Sequence, residues 1–181
     1  MSLAEQFPNP YDFLAPVPSF EVTSTDISDG AALAMAHVSG RFGAGGQDVS
    51  PQLSWSGAPE GTKSYAVTCF DPCAPTASGF WHWVVCDVPA STTDVPTDAG
   101  SLDSPQLPTG AVTLRNDAGE HAFIGAAPPQ GHGPHRYYFV VHAVDVESLG
   151  VPADASPAFL GFNLSFHTLA RATLVATYEQ T

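Results

Sequence analysis

Short runs dense in apolar, aromatic and β-branched residues recur along this chain, set apart by proline and glycine. Residues 64–70 (Ser-Tyr-Ala-Val-Thr-Cys-Phe), 81–88 (Trp-His-Trp-Val-Val-Cys-Asp-Val) and 137–146 (Tyr-Tyr-Phe-Val-Val-His-Ala-Val-Asp-Val) read as strands, the third as a central buried one. Phe20 to Thr25, Ala32 to Val38, Leu53 to Trp55 and Ala111 to Leu114 form weaker strand candidates. Helical spacing is scarce. Leu164, Phe166-His167, Leu169-Ala170, Thr173-Leu174 and Tyr178 predict a helix over Asn163 to Tyr178. A second, short helix is expected near Ser156 to Leu160, capped by Asp154 or Ser156. Pro157 suits its first position, and Gly161 ends it or starts the next. The pattern is mostly antiparallel β with a C-terminal helix.

Seventeen prolines and sixteen glycines leave long turn-rich stretches at 40–51, 89–110 and 116–134. Loops of that length in a compact domain often carry function. With 181 residues, 44% of them hydrophobic, the chain has the size and composition of one folded domain. Residues 1–19, with Pro8, Pro10, Pro16 and Pro18, are expected to run as an extended surface arm suited to embracing a partner subunit. Residues 20–181 form the domain. No apolar stretch approaches a membrane span, so no integral membrane association is expected. No secretory signal is read at the N-terminus, and the expected location is the cytoplasm.

Charge narrows the function classes. The formal net charge is −13 and Lys63 is the one lysine. A nucleic-acid partner needs a basic patch, so none is expected, and any anion site must work through local donors. Cys69, Cys73 and Cys86 are too few for a disulfide framework. Cys69 and Cys86 read as small buried hydrophobes. There is no Cys-x-x-Cys pair, and neither a metal site nor a cofactor is called for.

Two segments carry the chemistry. One is Asp71-Pro72-Cys73-Ala74-Pro75 followed by His82; the other is Gly131-His132-Gly133-Pro134-His135-Arg136-Tyr137. The prolines stiffen the first turn, and Ala74-Pro75 is the expected cis bond. A hairpin with Asp71 opposite His82 would bring their Cβ atoms to about 5 Å. His135 and Tyr137, two apart, share a strand face; Arg136 points away, toward a structural salt bridge. His132 reads as a loop residue.

With these residues in hand, the chain resembles the phosphatidylethanolamine-binding protein family, also called the Raf kinase inhibitor-like family, in its bacterial branch. The matching runs are Ser50-Pro51-Gln52-Leu53-Ser54-Trp55-Ser56-Gly57-Ala58-Pro59, Asp71 to Pro75, Trp81-His82-Trp83, Gly131 to Tyr137, and Leu169-Ala170-Arg171-Ala172 through Thr177-Tyr178. The resemblance implies a mainly β fold, with a large antiparallel sheet packed against a smaller one and flanked by short helices. It implies a pocket for phosphate, acetate or a phospholipid head group, made by Asp71, His82, His135 and Tyr137 with Pro129 or Pro134 on the rim. It also implies a homodimer. Where the family has Asp-Pro-Asp-x-Pro, this chain has Cys73 in place of the second acid. Either the position tolerates drift or the pocket has changed: a thiol beside histidines can be an activated nucleophile, and Asp, Cys and two His can hold a transition metal.

Three functions stand at this point. The first is a small-anion or head-group binding protein with a regulatory role, its affinity rising as pH falls through the imidazole range near 6.5. The second is a small-metabolite enzyme using His82, His135, Asp71 and Cys73, although no nucleophile elbow, phosphate loop or zinc-protease helix is present. The third is an inhibitor of a kinase or protease whose identity the sequence does not give.

Overall fold

The computed structural model describes residues 7–102, 104 and 106–181. The first six residues of the expected arm lie outside the described residues. Eight strands follow in order: β1 (Glu21–Thr23), β2 (Leu53–Ser56), β3 (Ser64–Asp71), β4 (Phe80–Pro89), β5 (Asp94–Val95), β6 (Val112–Thr113), β7 (His135–Val144) and β8 (Thr168–Tyr178), with helix α1 (Pro157–His167) before β8. Strands β6-β4-β3-β7-β8 make one antiparallel sheet and β1-β2-β5 a smaller one.

The three strong runs become β3, β4 and β7, the middle of the large sheet. Both faces of these strands are buried, which is why their sequences lack polar alternation. Tyr65, Val67, Cys69, Trp83, Phe139 and Val141 pack inward against Leu53, Trp55 and Val95 of the small sheet. Ala66, Val84, Cys86 and Val144 face outward, beneath Leu160 and Leu164 of α1. Cys69 and Cys86 are buried in these two layers, as expected for small hydrophobes, and burial pushes both thiols up, Cys86 to about 12.

The C-terminal segment departs from expectation. The helix begins earlier, at Pro157, and ends at His167; residues 168–178 form strand β8. Ala170, Ala172, Leu174 and Ala176 are buried at alternate positions against β7. Alanine favours helix intrinsically, but here its small side chain lets β8 lie close beneath the small sheet, and Thr173, Val175 and Thr177 supply strand character. Ser156 caps α1, its hydroxyl accepting from the Phe159 N–H, with Pro157 in the first turn. Gly161 neither ends the helix nor starts another; it lies inside it. Ala32 to Val38 forms no strand, only isolated bridges at its two ends around a 3-10 turn over Met35–His37.

Strand β8 would be an exposed edge, but residues 18–33 run along it. Arg171 N–H donates to Pro18 O, Phe20 N–H to Arg171 O, and Gly30 and Leu33 N–H to Val175 and Thr177 O. The segment covers a row of strand groups that would otherwise invite pairing with another chain.

Candidate functional site

The site forms where β3 ends and β7 begins. Asp71, the last residue of β3, follows Tyr65, Val67 and Cys69 on the inward face, and His135 and Tyr137 open the inward face of β7. Across the β3–β4 hairpin Asp71 pairs with Phe80, not with His82. Phe70 pairs with Trp81 and Cys69 with Trp83, so His82 is the extra residue of a β-bulge. A bulge re-aims one side chain at a sheet margin. Here it turns His82 to the face that carries Asp71, which strict alternation would deny it.

Asp71 is held on both oxygens. Oδ1 accepts from the Cys73 N–H at 2.7 Å, an Asx turn that shapes the loop. Oδ2 accepts from Nδ1 of His135 at 2.7 Å, both side chains being almost fully buried. A carboxylate on Nδ1 fixes the tautomer and leaves Nε2 as the reactive atom; Nε2 of His135 is buried with no partner. His82 is oriented in parallel fashion. Its Nδ1 donates to Ile124 O at 2.8 Å, and the Ile124 N–H returns a bond to His82 O at 3.0 Å. No hydrogen bond of good geometry is made by Nε2 of His82 among the described residues, and the Gly125 backbone lies near the ring. The ring packs against Phe80 (4.8 Å between centroids) and edge-on to Tyr137 (5.1 Å). Burial lowers the His82 pKa, and the Asp71 charge opposes that shift.

Together these groups line a cavity of about 230 Å³ with Phe42, Pro75, Thr76, Pro128 and Pro129. Of the residues expected from sequence, Asp71, His82, His135 and Pro129 reach it. Tyr137 lies behind His82, its hydroxyl buried without a partner and its phenol pKa raised by burial and by Asp71. Pro134 is not on the lining. Cys73 is buried and absent from the lining, touching the site through its backbone N–H. Asp71, Cys73, His82 and His135 therefore do not form a metal-ligand set; no group of three or more such ligands occurs among the described residues. The Ala74–Pro75 bond is trans. Arg136 makes no ion pair among the described residues; it donates to the Phe7 carbonyl and lies over the Tyr138 ring. The His132 ring sits 5.8 Å from that of His135.

The far wall was not legible in the sequence. Ile124 and Gly125 belong to a segment with no periodicity, and it is held by Asp48, whose Oδ1 accepts from Gly125 N–H at 2.7 Å and Oδ2 from Gly40 N–H at 2.9 Å. Asp48 thus ties the loop carrying Phe42 to the wall carrying Ile124. Gly125 is required by close approach: a Cβ there would lie 2.3 Å from the Val38 carbonyl carbon.

Residues 23–179 match the family described as phosphatidylethanolamine-binding protein. YbcL of Escherichia coli (strain K12) is 48% identical over 167 residues, 92% of this chain and 91% of that protein. YbhB of the same organism is 46% identical over 159 residues, 88% of this chain and 99% of that protein. The crystal structure of E. coli YbcL superposes with a TM-score of 0.88 at 48% identity, covering 90% of this chain and 99% of that one. The fold, the site at the strand ends and these likenesses agree: the chain belongs to the phosphatidylethanolamine-binding protein family.

Proposed function

We propose that the Asp71–His82–His135 cavity binds a small oxyanion, phosphate or the phosphoryl head group of a phospholipid, and that the protein acts as a regulatory binding module. One observation carries the reading: two imidazoles, each tied at Nδ1 to a protein acceptor, leave their Nε2 atoms without a hydrogen bond of good geometry around one cavity. An imidazole held in that way becomes a second donor once protonated. The net charge of −13 works against any anion at long range, so local protons must drive binding. The cavity's apolar rim of Phe42, Phe80 and prolines suits the carbon part of a head group.

The enzyme alternative loses its nucleophile, because Cys73 is buried off the lining. The Asp71–His135 pair keeps acid–base chemistry available, and turnover lost on His135→Gln with the fold intact would favour it. The reading of an inhibitor of a partner protein gains no specific support. Calorimetric titration with phosphate and phosphoethanolamine tests the proposal. Binding that His82→Ala weakens at least tenfold is expected; binding that His82→Ala leaves unchanged contradicts it.

A further inference from the structure

A second cavity lies on the opposite, outward face of the large sheet, about 270 Å³ in volume. Its walls are apolar: Phe70 and Trp81 from the sheet, Leu160 and Leu164 from α1, and Leu14 and Val17 from the N-terminal segment. Its polar atoms are concentrated and unused. The hydroxyls of Tyr11 and Thr68, which lie within reach of each other, and Nδ1 of His142 are buried in its wall without a hydrogen bond of good geometry, and His142 and Thr68 are 4% and 1% exposed. Buried polar atoms are normally satisfied, and unpaired ones within the wall of an otherwise apolar cavity point to a polar group nearby.

The cation beside them indicates which group. Arg171 pairs with His142 across the β7–β8 ladder, so the two side chains share the outward face. Its guanidinium lies 5.7 Å over the Tyr11 ring and gives one N–H to Ala15 O. In a chain with 18 acids and five bases, Arg171 makes no ion pair among the described residues. A half-buried guanidinium lacking a counter-ion favours an anionic oxygen ligand and repels an amine. Gly161 of α1 stands exposed on the cavity lining, and a Cβ there would meet nothing within 4 Å. A glycine inside a helix is unfavourable by itself, and here its missing side chain leaves room for entry.

We propose that this cavity binds a small, mainly apolar monocarboxylate, with its hydrocarbon body between α1 and the sheet and its carboxylate against Arg171. The volume lies just below the range of sites for drug-sized molecules, so the ligand is compact. The site is separated from the Asp71 pocket by the sheet itself.

The test is an NMR titration of the full chain with hexanoate, hexan-1-ol and hexylamine, read at the Trp81 indole N–H and the Thr68 and His142 amides. Saturable shifts are expected with hexanoate, at least tenfold weaker binding with hexanol, and none with hexylamine. Arg171→Gln should cost hexanoate tenfold or more and leave hexanol unchanged. Gly161→Leu, which narrows the mouth, should abolish both. Sulfate titration at the Asp71 pocket, followed on His82 and His135, should be untouched by either change, so that failure of one site is distinguishable from failure of the other. No saturable shift in the wild type, equal affinity for hexanol and hexanoate, or Arg171→Gln without effect on hexanoate would overturn the proposal. Should Arg171→Gln fail to fold by circular dichroism, the hexanoate-to-hexanol ratio and Gly161→Leu decide.

Discussion

Two buried histidines on opposite faces of one sheet live under opposite electrostatics. His82, on the inward face, has the Asp71 carboxylate as its charged neighbour, which works against the lowering by burial. His142, on the outward face, has Arg171, which adds to the lowering by burial and takes its pKa to about 3. The shift of the same side chain is thus moderated by a carboxylate on one side and deepened by a guanidinium on the other. Burial lowers both, and the charge of the nearest ionised side chain opposes that shift at His82 and adds to it at His142. The cavities differ accordingly: imidazoles beside a carboxylate line the inward one, and a guanidinium lines the outward one.

The inward face is most sensitive at Asp71. Asp71→Ala strips His135 Nδ1 and the Cys73 N–H of their acceptor. Removing one partner of a buried pair costs about 3–5 kcal/mol, so urea denaturation should show a loss of that order. A loss under about 1 kcal/mol would mean the pair behaves as a surface contact. Next is the outward face. The His142 pKa lies below its value of 6.5 in the unfolded chain, so its contribution to stability is complete above that pH and lost as pH falls toward 3. By pH 5 about 2 kcal/mol should be gone, and the part due to His142 should vanish from the pH profile of His142→Gln. His82 contributes with the same sign, since its pKa is lowered too.

A comparable effect is expected at the wall of the inward cavity. Gly125→Ala places a methyl against the Val38 backbone, and overpacking of this kind costs about 1–3 kcal/mol. Because the wall orients His82 through Ile124, sulfate affinity should fall along with the melting temperature. The smallest effect is at the outward mouth, where Gly161→Ala has open space and should stabilise by about 0.5–1 kcal/mol through helix propensity. Cys73 sharpens the picture without a stability term. Buried and off the lining, it should react with iodoacetamide far more slowly than a free thiol in the folded protein, whether or not phosphate is present. Fast, ligand-protected labelling would return it to the pocket.

Much of the inward site was legible because its chemistry sits at strand ends flagged by proline, and β3, β4 and β7 are rich enough in β-branched and aromatic residues to admit one reading. Asp71, His82 and His135 were legible for that reason. The bulge at His82 was not, since nothing in Trp81-His82-Trp83 announces an unpaired residue; the expected partner of Asp71, His82, lies two residues beyond the observed one, Phe80. Strand β8 was misread because alternating alanines between leucines five apart satisfy a helical count as readily as a strand count, and only the surface available on β7 decides between them. The wall of Ile124 and Gly125 depends on Asp48, some 77 positions away, and the outward cavity on a proline-rich segment folded over distant strands. Neither leaves a local periodic signal.

The most direct measurement is calorimetric titration with sulfate, an anion that does not titrate in this range, at pH 8, 7 and 6, in buffers of differing ionisation enthalpy, for the wild type and His82→Ala. Affinity should rise toward tenfold per unit fall in pH, with uptake of about one proton on binding, and that pH dependence should be lost in His82→Ala. Affinity that is flat or falls from pH 8 to 6, or that His82→Ala leaves unaltered, would contradict it.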